Sequence, residues 1–513
     1  MNKKRINQML LIGTMLTAAL FSACSNNDNT EQDQTISANK TIRFQLIDED
    51  FGADTEIDAT RAGQDTVLGR DTINLGNNII AEMSVERDAK QTPTTRAAGM
   101  SNGTYTVLAY QGGVLKGTLK GTVTSNVFTA TSSNQDIILA PGTYTFYCCN
   151  DKVDISGDHL NVSLANAGTA RIGTTTVTLP ATPHRQTVSF AMKHVGARIR
   201  YKFEGYMPFY VNARPQYKAW GTSTLDATTG SYTYSDPLTT WTPIGSLMYV
   251  NASNDGTGSY TTTASDYAYI LPSATSSDLE IKINSLNIYK KSLSGIVQRV
   301  NNLPRTFYQN GSYTIKITLR YNYKLLYSDG TVDPLLPNGT PNHSASAKPI
   351  GVVVTDNNGT AGSGMAIALE DARKSDGYYE MDEYSAAQAI NYYNTYGPYS
   401  SITTGANLSQ WYLPSLAEWY KALTDICFSQ GYIGGSASEM QSIYYAVLDK
   451  ENVSQSSLSP GAGTIGNKEY WTSEYGKAVG IDWNSFGYSA PGAGYAGANN
   501  SSNNKHVRPF IHF

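Results

Sequence analysis

Apolar and polar residues alternate from the first strand-like stretch of this chain: Ile42, Phe44 and Leu46 are apolar, and Thr41, Arg43 and Gln45 are polar. A period of two predicts a strand with one buried face. Strand-like runs bounded by turn residues then recur at short intervals, at 105–110, 114–119, 127–130, 144–149, 188–192 and 198–203. Pro141-Gly142 is a turn feeding the strand that begins at Thr143. Short strands at such spacing predict a β-sandwich. A second series follows from Tyr206, with runs at 267–271, 279–283 and 288–293, and closes on the strictly alternating segment 311–319. The reading is two sandwiches in tandem. Residues 328–348 carry Pro334, Pro337 and Pro341 among Gly and Asn and read as a linker. Beyond them the period changes. Residues 385–396 are Ala-rich with helical spacing. Ser415 and Glu418 form a capping box ahead of Leu416, Trp419, Leu423 and Ile426. Ser436 and Glu439 open a third predicted helix through Leu448. Gly, Ser and Asn-rich loops with short strands run from Tyr470 to Phe513, so the last third is an α+β domain.

The N-terminus has a different pattern. Lys3, Lys4 and Arg5 precede an apolar run from Met9 to Phe21, and Ser22 and Ala23 stand directly before Cys24. This is the layout of a signal peptide, with a run shorter than the roughly 20 residues a permanent span needs. Phe21-Ser22-Ala23-Cys24 resembles the lipobox of bacterial lipoproteins, with Phe21 where Leu is commoner. The resemblance implies lipidation (palmitate among the acyl groups) at Cys24 and a lipid anchor in the cell outer membrane. The polar run Ser25-Asn26-Asn27-Asp28-Asn29 reads as a flexible tether. It is similar to the signal that sends lipoproteins to the outer face.

Composition narrows the functional classes. Charged residues make up 16% of the 513, while Gly (45) and Tyr (36) are abundant, which favours strands and turns. With a net charge of −4 and no basic stripe, a nucleic-acid partner has no electrostatic support. Besides Cys24 there are Cys148, Cys149 and Cys427. Adjacent cysteines on a strand face opposite ways and three thiols cannot all pair, so the reading is buried small hydrophobes, with a vicinal disulfide as the alternative. No histidine sits at metal-ligand spacing, no glycine-rich loop opens a helix, and no serine stands in a nucleophile elbow. No metal, cofactor or catalytic activity is therefore expected. His194, at a strand end, reads as structural. Glu370, Asp371, Asp376, Glu380, Asp382 and Glu383 read as solvated charges whose spacing does not match a calcium loop. Trp411, Trp419, Trp471 and Trp483 all fall in the last third, where aromatic faces can stack on sugars or partner proteins. Trp419 belongs to a helix core; Trp471, Trp483 and Tyr488 are the ligand-binding candidates.

Two stretches resemble known families. Thr60-Arg61-Ala62, Thr106-Val107-Leu108-Ala109-Tyr110, Leu139-Ala140-Pro141-Gly142-Thr143-Tyr144-Thr145-Phe146 and Phe190-Ala191-Met192-Lys193-His194-Val195-Gly196-Ala197-Arg198 occur in order. Together they resemble the fimbrillin-like proteins, lipoprotein precursors of type V pilins, over about 41–321. That resemblance implies two transthyretin-like β-sandwiches and assembly by strand exchange between pilin subunits. A protease specific for Arg would cut after Arg61 and discard the strand at 42–46; Arg96, in Thr95-Arg96-Ala97, is the second candidate. An uncut chain would stay lipid-anchored. An open groove inside a sheet is unfavourable until a strand fills it, which gives the exchange its driving force.

Ala366-Ile367-Ala368-Leu369-Glu370-Asp371-Ala372, Trp411-Tyr412-Leu413-Pro414-Ser415-Leu416-Ala417-Glu418-Trp419, Tyr470-Trp471-Thr472-Ser473 and Val507-Arg508-Pro509-Phe510 carry the second resemblance. They are similar to C-type-lectin-like domains related to the formylglycine-generating enzyme fold. The enzyme's paired cysteines are missing, since Cys427 stands alone, and Ser485 replaces the acid of the calcium-dependent sugar motif after Trp483-Asn484. The expected organisation is 1–23 signal peptide, 24–61 tether and propeptide strand, 62–205 and 206–327 sandwiches, 328–348 linker and 349–513 lectin-like domain. Polymerising pilins usually donate a strand from the C-terminal end, whereas 507–513 is expected to pair within its own domain. The chain therefore reads as a tip or accessory fimbrial subunit with an adhesive head. The alternative is a non-polymerising surface lipoprotein that captures a glycan or host protein.

Overall fold

The computed structural model describes residues 36–37, 42–52, 67–88, 101–125, 127–131, 137–181, 186–255, 259–300, 306–336, 339–397, 407–426, 468–475, 478–481 and 505–513. Among them the chain is mainly β, and both α-helices belong to the C-terminal domain.

Ile42–Asp48, Gln186–His194, Arg171–Leu179, Gly142–Asn150, Gly103–Gln111, Val114–Thr124 and Val127–Ala130 stand in that order in a seven-stranded sheet. Every residue from Tyr105 to Tyr110 is buried, so the sheet is covered on both faces along this strand. One face gathers Tyr105, Val107, Ala109, Phe146, Phe190 and the apolar residues of the N-terminal strand. The other places Leu108, Tyr110 and Tyr147 against Leu160, Val162 and Leu225 of a four-stranded sheet. Cys148 falls in the first core and Cys149 in the second, which is the alternation of neighbouring side chains on a strand. Both are free thiols. Burial raises both, Cys149 to about 12, so neither offers a reactive thiolate.

The second unit is also a pair of facing sheets. Ser253–Asn254, Tyr260–Thr263, Ala197–Gly205, Ser312–Tyr321, Ile79–Arg87 and Val67–Gly76 form one. Tyr210–Tyr217, Leu279–Ile288 and Lys291–Arg299 are the main strands of the other. Ile199, Tyr201, Phe203, Ile315, Ile317 and Val85 meet Val211, Ile281 and Ile283 between them. The units are interleaved, which departs from the contiguous 62–205 and 206–327 division. The hairpin Val67–Gly76/Ile79–Arg87 and strand Ala197–Gly205 join the second unit, while Trp220–Asp226 and Ser231–Pro237 return to the first. Alternation tells which face of a strand is buried and is silent on its partner. The run 288–293 also breaks in two: Tyr289 and Lys290 have φ of 52° and 55°, the backbone of a two-residue hairpin turn.

The C-terminal domain is an antiparallel sheet in the order Val332–Pro334, Lys324–Tyr327, Pro349–Thr355, Met365–Ala368, Phe510–His512. Two helices, Glu383–Tyr396 and Leu416–Asp425, accompany it. Asp382 caps the first by accepting from Ser385 N–H. Ser415 and Glu418 cap the second with both halves of the capping box in place. Residues 328–348 are not a free linker, because two carboxylates organise them. Asp333 accepts from the backbone N–H of Asn342 and His343 and lies 2.6 Å from His343 Nδ1, while Asp329 accepts from Thr331 and Ser344. Burial alone would raise Asp333, but these hydrogen bonds hold its carboxyl below its ordinary range. The His343 ring stacks on Tyr327 at 3.8 Å. Trp419, Ala422 and Phe510 share a core with the second unit, and Tyr323 donates to the carbonyl of Ile426 at 2.7 Å. No helix among the described residues is long and apolar enough to cross a membrane.

Candidate functional site: a strand-filled groove

The strand expected from Ile42, Phe44 and Leu46 runs from Ile42 to Asp48 and pairs in parallel with Gln186–His194, from Ile42 opposite Gln186 to Asp48 opposite Met192. It lies at the end of the sheet order, with one ladder neighbour among the described residues. Its three apolar side chains are nonetheless buried. Phe44 sits among three rings, at 5.8 Å from Phe128, 6.3 Å from Phe146 and 6.1 Å from Phe190. The strand thus bridges two ends of a curled sheet, docked by side chains that each contribute roughly 1.5–3 kcal/mol of burial. Taken away, it would leave one unpaired ladder beside an apolar socket.

Past the strand, the chain is latched at the junction of the two units. Asp48 accepts from the N–H and hydroxyl of Ser101 at 2.8 and 2.6 Å and pairs with Arg171 at 3.2 Å. The Phe51 ring stacks on His194 at 3.7 Å, with the Arg198 guanidinium 5.0 Å from its centroid. Gly52, at φ 105°, donates to the carbonyl of Asn310, whose amide donates to the carbonyl of Asp50 and accepts from His194 N–H. Burial, with Arg171 and Arg198 adding, pushes the His194 imidazole down to about 3, against the backbone of Gly168. It stays neutral across the physiological range, consistent with the structural role expected of it. No sequence pattern announced this latch.

Of the expected site residues, Cys24, Arg61, Arg96, Trp483 and Tyr488 lie outside the described residues, as do Cys427 and the third predicted helix. Trp471 is described, and it is not at a ligand surface: it is 2% exposed, and its indole N–H donates to the carbonyl of Met381 at 2.7 Å. A flat ring with one N–H is well used in a core once that donor finds a carbonyl. Trp411 and Trp419 are buried as well.

Two carboxylates of the C-terminal domain, Asp371 and Glu370, depart from expectation, whereas Asp376 and Glu380 are exposed as expected. Asp371 is buried, 2.6 Å from Arg508 Nε and 3.1 Å from His506 Nδ1. Arg508 donates further to the carbonyl of Ala368. Burial pushes the neighbouring Glu370 up from 4.5 to about 7, with Arg508 opposing and Asp371 adding. The folded state therefore binds a proton that the unfolded chain has already released. Stability from this group is full below about pH 4.5 and is lost as pH rises through 7, by a few kcal/mol at most. Glu370→Gln is expected to match the parent near pH 4.5 and to exceed it at pH 8, as urea-unfolding midpoints at the two pH values would read. Among the described residues no group of three or more His, Cys, Asp or Glu is placed to hold a metal ion.

No family model and no curated protein matches the chain. Among solved structures it is similar to a candidate cell adhesion protein of Bacteroides uniformis, at 12% identity and a TM-score of 0.29, over 43% of this chain and 91% of that one. A candidate cell adhesion protein of Bacteroides ovatus gives 13% and 0.29, over 55% of this chain and 92% of that one. The fimbrial anchor protein Mfa2 of Porphyromonas gingivalis gives 10% and 0.25, over 54% and 90%.

Proposed function

We propose that this chain is a fimbrial tip or accessory subunit at the cell surface, matured by an Arg-specific protease and joined to a neighbouring subunit by strand exchange. Its C-terminal domain is the adhesive head. The proposal includes lipidation at Cys24, transthyretin-like sandwiches and a C-type-lectin-like head, as the sequence resemblances imply. The observation that carries it is the docking of Ile42–Asp48: an edge strand in parallel register, seated by Ile42, Phe44 and Leu46, with no second ladder neighbour among the described residues. Such a strand can be replaced by another extended segment with the same alternation.

The topology also favours one arginine. Segment 53–66, which holds Arg61, separates the strand from the hairpin Val67–Gly76/Ile79–Arg87, and Ile79, Ala81, Met83 and Val85 of that hairpin are in the second unit's core. A cut after Arg61 frees the strand with only the two-residue pairing of Ile36–Ser37 besides it. A cut after Arg96 leaves it tied to a hairpin that stays behind. At the other end, Phe510–His512 pairs with Met365–Ala368, and Phe513, Ile511 and Phe510 are buried. Donating that strand would dismantle the head, which suits a subunit that accepts and does not extend.

Limited digestion of the full chain with an Arg-specific protease tests this. The expected products begin at Ala62, with the preceding fragment held non-covalently and displaced by a peptide of matching alternation. A core that is cut only after Arg96, or that never exchanges its fragment, would overturn it in favour of a surface lipoprotein that stays anchored and binds a glycan or protein. The latch from Asp48 to Gly52 is what would favour that second reading, since it holds an uncut strand firmly.

A further inference from the structure

Helix Glu383–Tyr396 buries Ala386, Ala389, Ile390 and Tyr393. Its opposite face is unusual. No residue from Tyr384 to Tyr396 is charged, although the solvent side of a surface helix is ordinarily where charges collect. What stands there instead is Tyr384, Gln388, Asn391, Tyr392 and Tyr396. Tyr384 and Tyr396 are 71% and 66% exposed, and the Tyr392 ring lies 5.0 Å from that of Tyr396. Tyr475, 79% exposed, extends the row beside Tyr384. At 1.5 Å per residue the helical part of the strip is about 18 Å long.

Resting on the reading of this domain as the adhesive head, we propose that the strip binds a neutral glycan chain laid along the helix. A tyrosine presents an apolar face and a hydroxyl, which are the two surfaces a sugar ring also offers, and the Gln388 and Asn391 amides can both donate to and accept from sugar hydroxyls. Charge selects among ligands. Sialylated, sulfated or uronate chains would meet no cation along the strip and the Glu383 carboxylate at its end, whereas a neutral chain has no charge of its own to desolvate. A protein partner is the poorer fit. Protein hot spots centre on side chains packed into a fully desolvated pocket, and this row lies on an open convex helix face with Ala387 its one exposed aliphatic side chain.

The test uses the full chain, before and after Arg-specific digestion, titrated with neutral mannan, galactan and glucan oligosaccharides, with sialylated and uronate oligosaccharides, and with immobilised extracellular-matrix protein. Binding to a neutral oligosaccharide, insensitive to salt, is expected. Tyr384→Ala and Tyr396→Ala should each weaken it about ten-fold while the melting temperature holds, and Tyr396→Phe should keep most of it. Acidic oligosaccharides binding as well as neutral ones, matrix protein as the sole ligand, no binding at all, or full binding by the alanine variants would each overturn the proposal. Cleavage after Arg61 is read separately by mass, so a head that binds nothing on a chain that is still cut and exchanged would fail this inference and leave the fimbrial reading standing.

Discussion

Phe44→Ala is expected to weaken docking of the N-terminal strand by about 3–5 kcal/mol, the range for removing a buried phenylalanine. The gap would open among Phe128, Phe146 and Phe190, whose ring centroids lie 5.8, 6.3 and 6.1 Å from that of Phe44. Because Ile42–Asp48 has one ladder neighbour, the loss should appear as local opening. Hydrogen exchange along Gln186–His194 would accelerate by orders of magnitude, while amides in Gly103–Gln111, at the middle of the sheet, change little. Phe190→Ala is the control, since Phe190 stays on the receiving strand and should weaken the sheet with or without the N-terminal segment. Processing then gives a sharper reading. Once the fragment ending at Arg61 has been cut away and displaced, parent and Phe44→Ala chains have the same sequence, and their exchange should coincide. A difference that survives cleavage and displacement would mean that the strand never left.

What could be read beforehand depends on how far apart in sequence the interacting residues lie. Ile42, Phe44 and Leu46 declared a strand and its buried face, and the structure has both. Ser415 and Glu418, three residues apart, declared a helix start. Cys148 and Cys149 declared opposite faces. Each of these rests on a local period or a local hydrogen bond. Pairing of Arg87 with Tyr313 does not, and so the hairpin at 67–87 was placed with the wrong sandwich. Residues 328–348 read as a linker for a related reason: Pro, Gly and Asn mark turns, and whether turns are loose depends on acceptors such as Asp329 and Asp333 that bind the returning chain. At the candidate site the strand was legible and its latch was not. Asp48, Ser101, Arg171, His194 and Asn310 come from segments that only the fold brings together.

The same limit hid the buried pair of Asp371 and Arg508 in the C-terminal domain. Arg508→Ala is expected to lower stability by about 3–5 kcal/mol, because it removes the cation from the Asp371 carboxylate and leaves it with His506 in a site where the Asp371 and Arg508 side chains are 0% exposed. Arg508→Lys should recover only part of this, since an ammonium cannot serve Asp371 and the carbonyl of Ala368 with a fixed fork. Removing both charges, as Asp371→Leu with Arg508→Met, should be far milder than Arg508→Ala alone. The location of the damage matters as much as its size. Arg508 stands two residues before Phe510–His512, so exchange of the Phe510 to Phe513 amides should rise first. If pairing with Met365–Ala368 is what withholds this strand from neighbours, then digested Arg508→Ala chains should begin to self-associate, with 510–512 entering the emptied groove of another copy. Analytical ultracentrifugation of digested parent and variant decides it: a variant whose tail is freed yet remains monomeric would show that something other than the paired tail prevents extension.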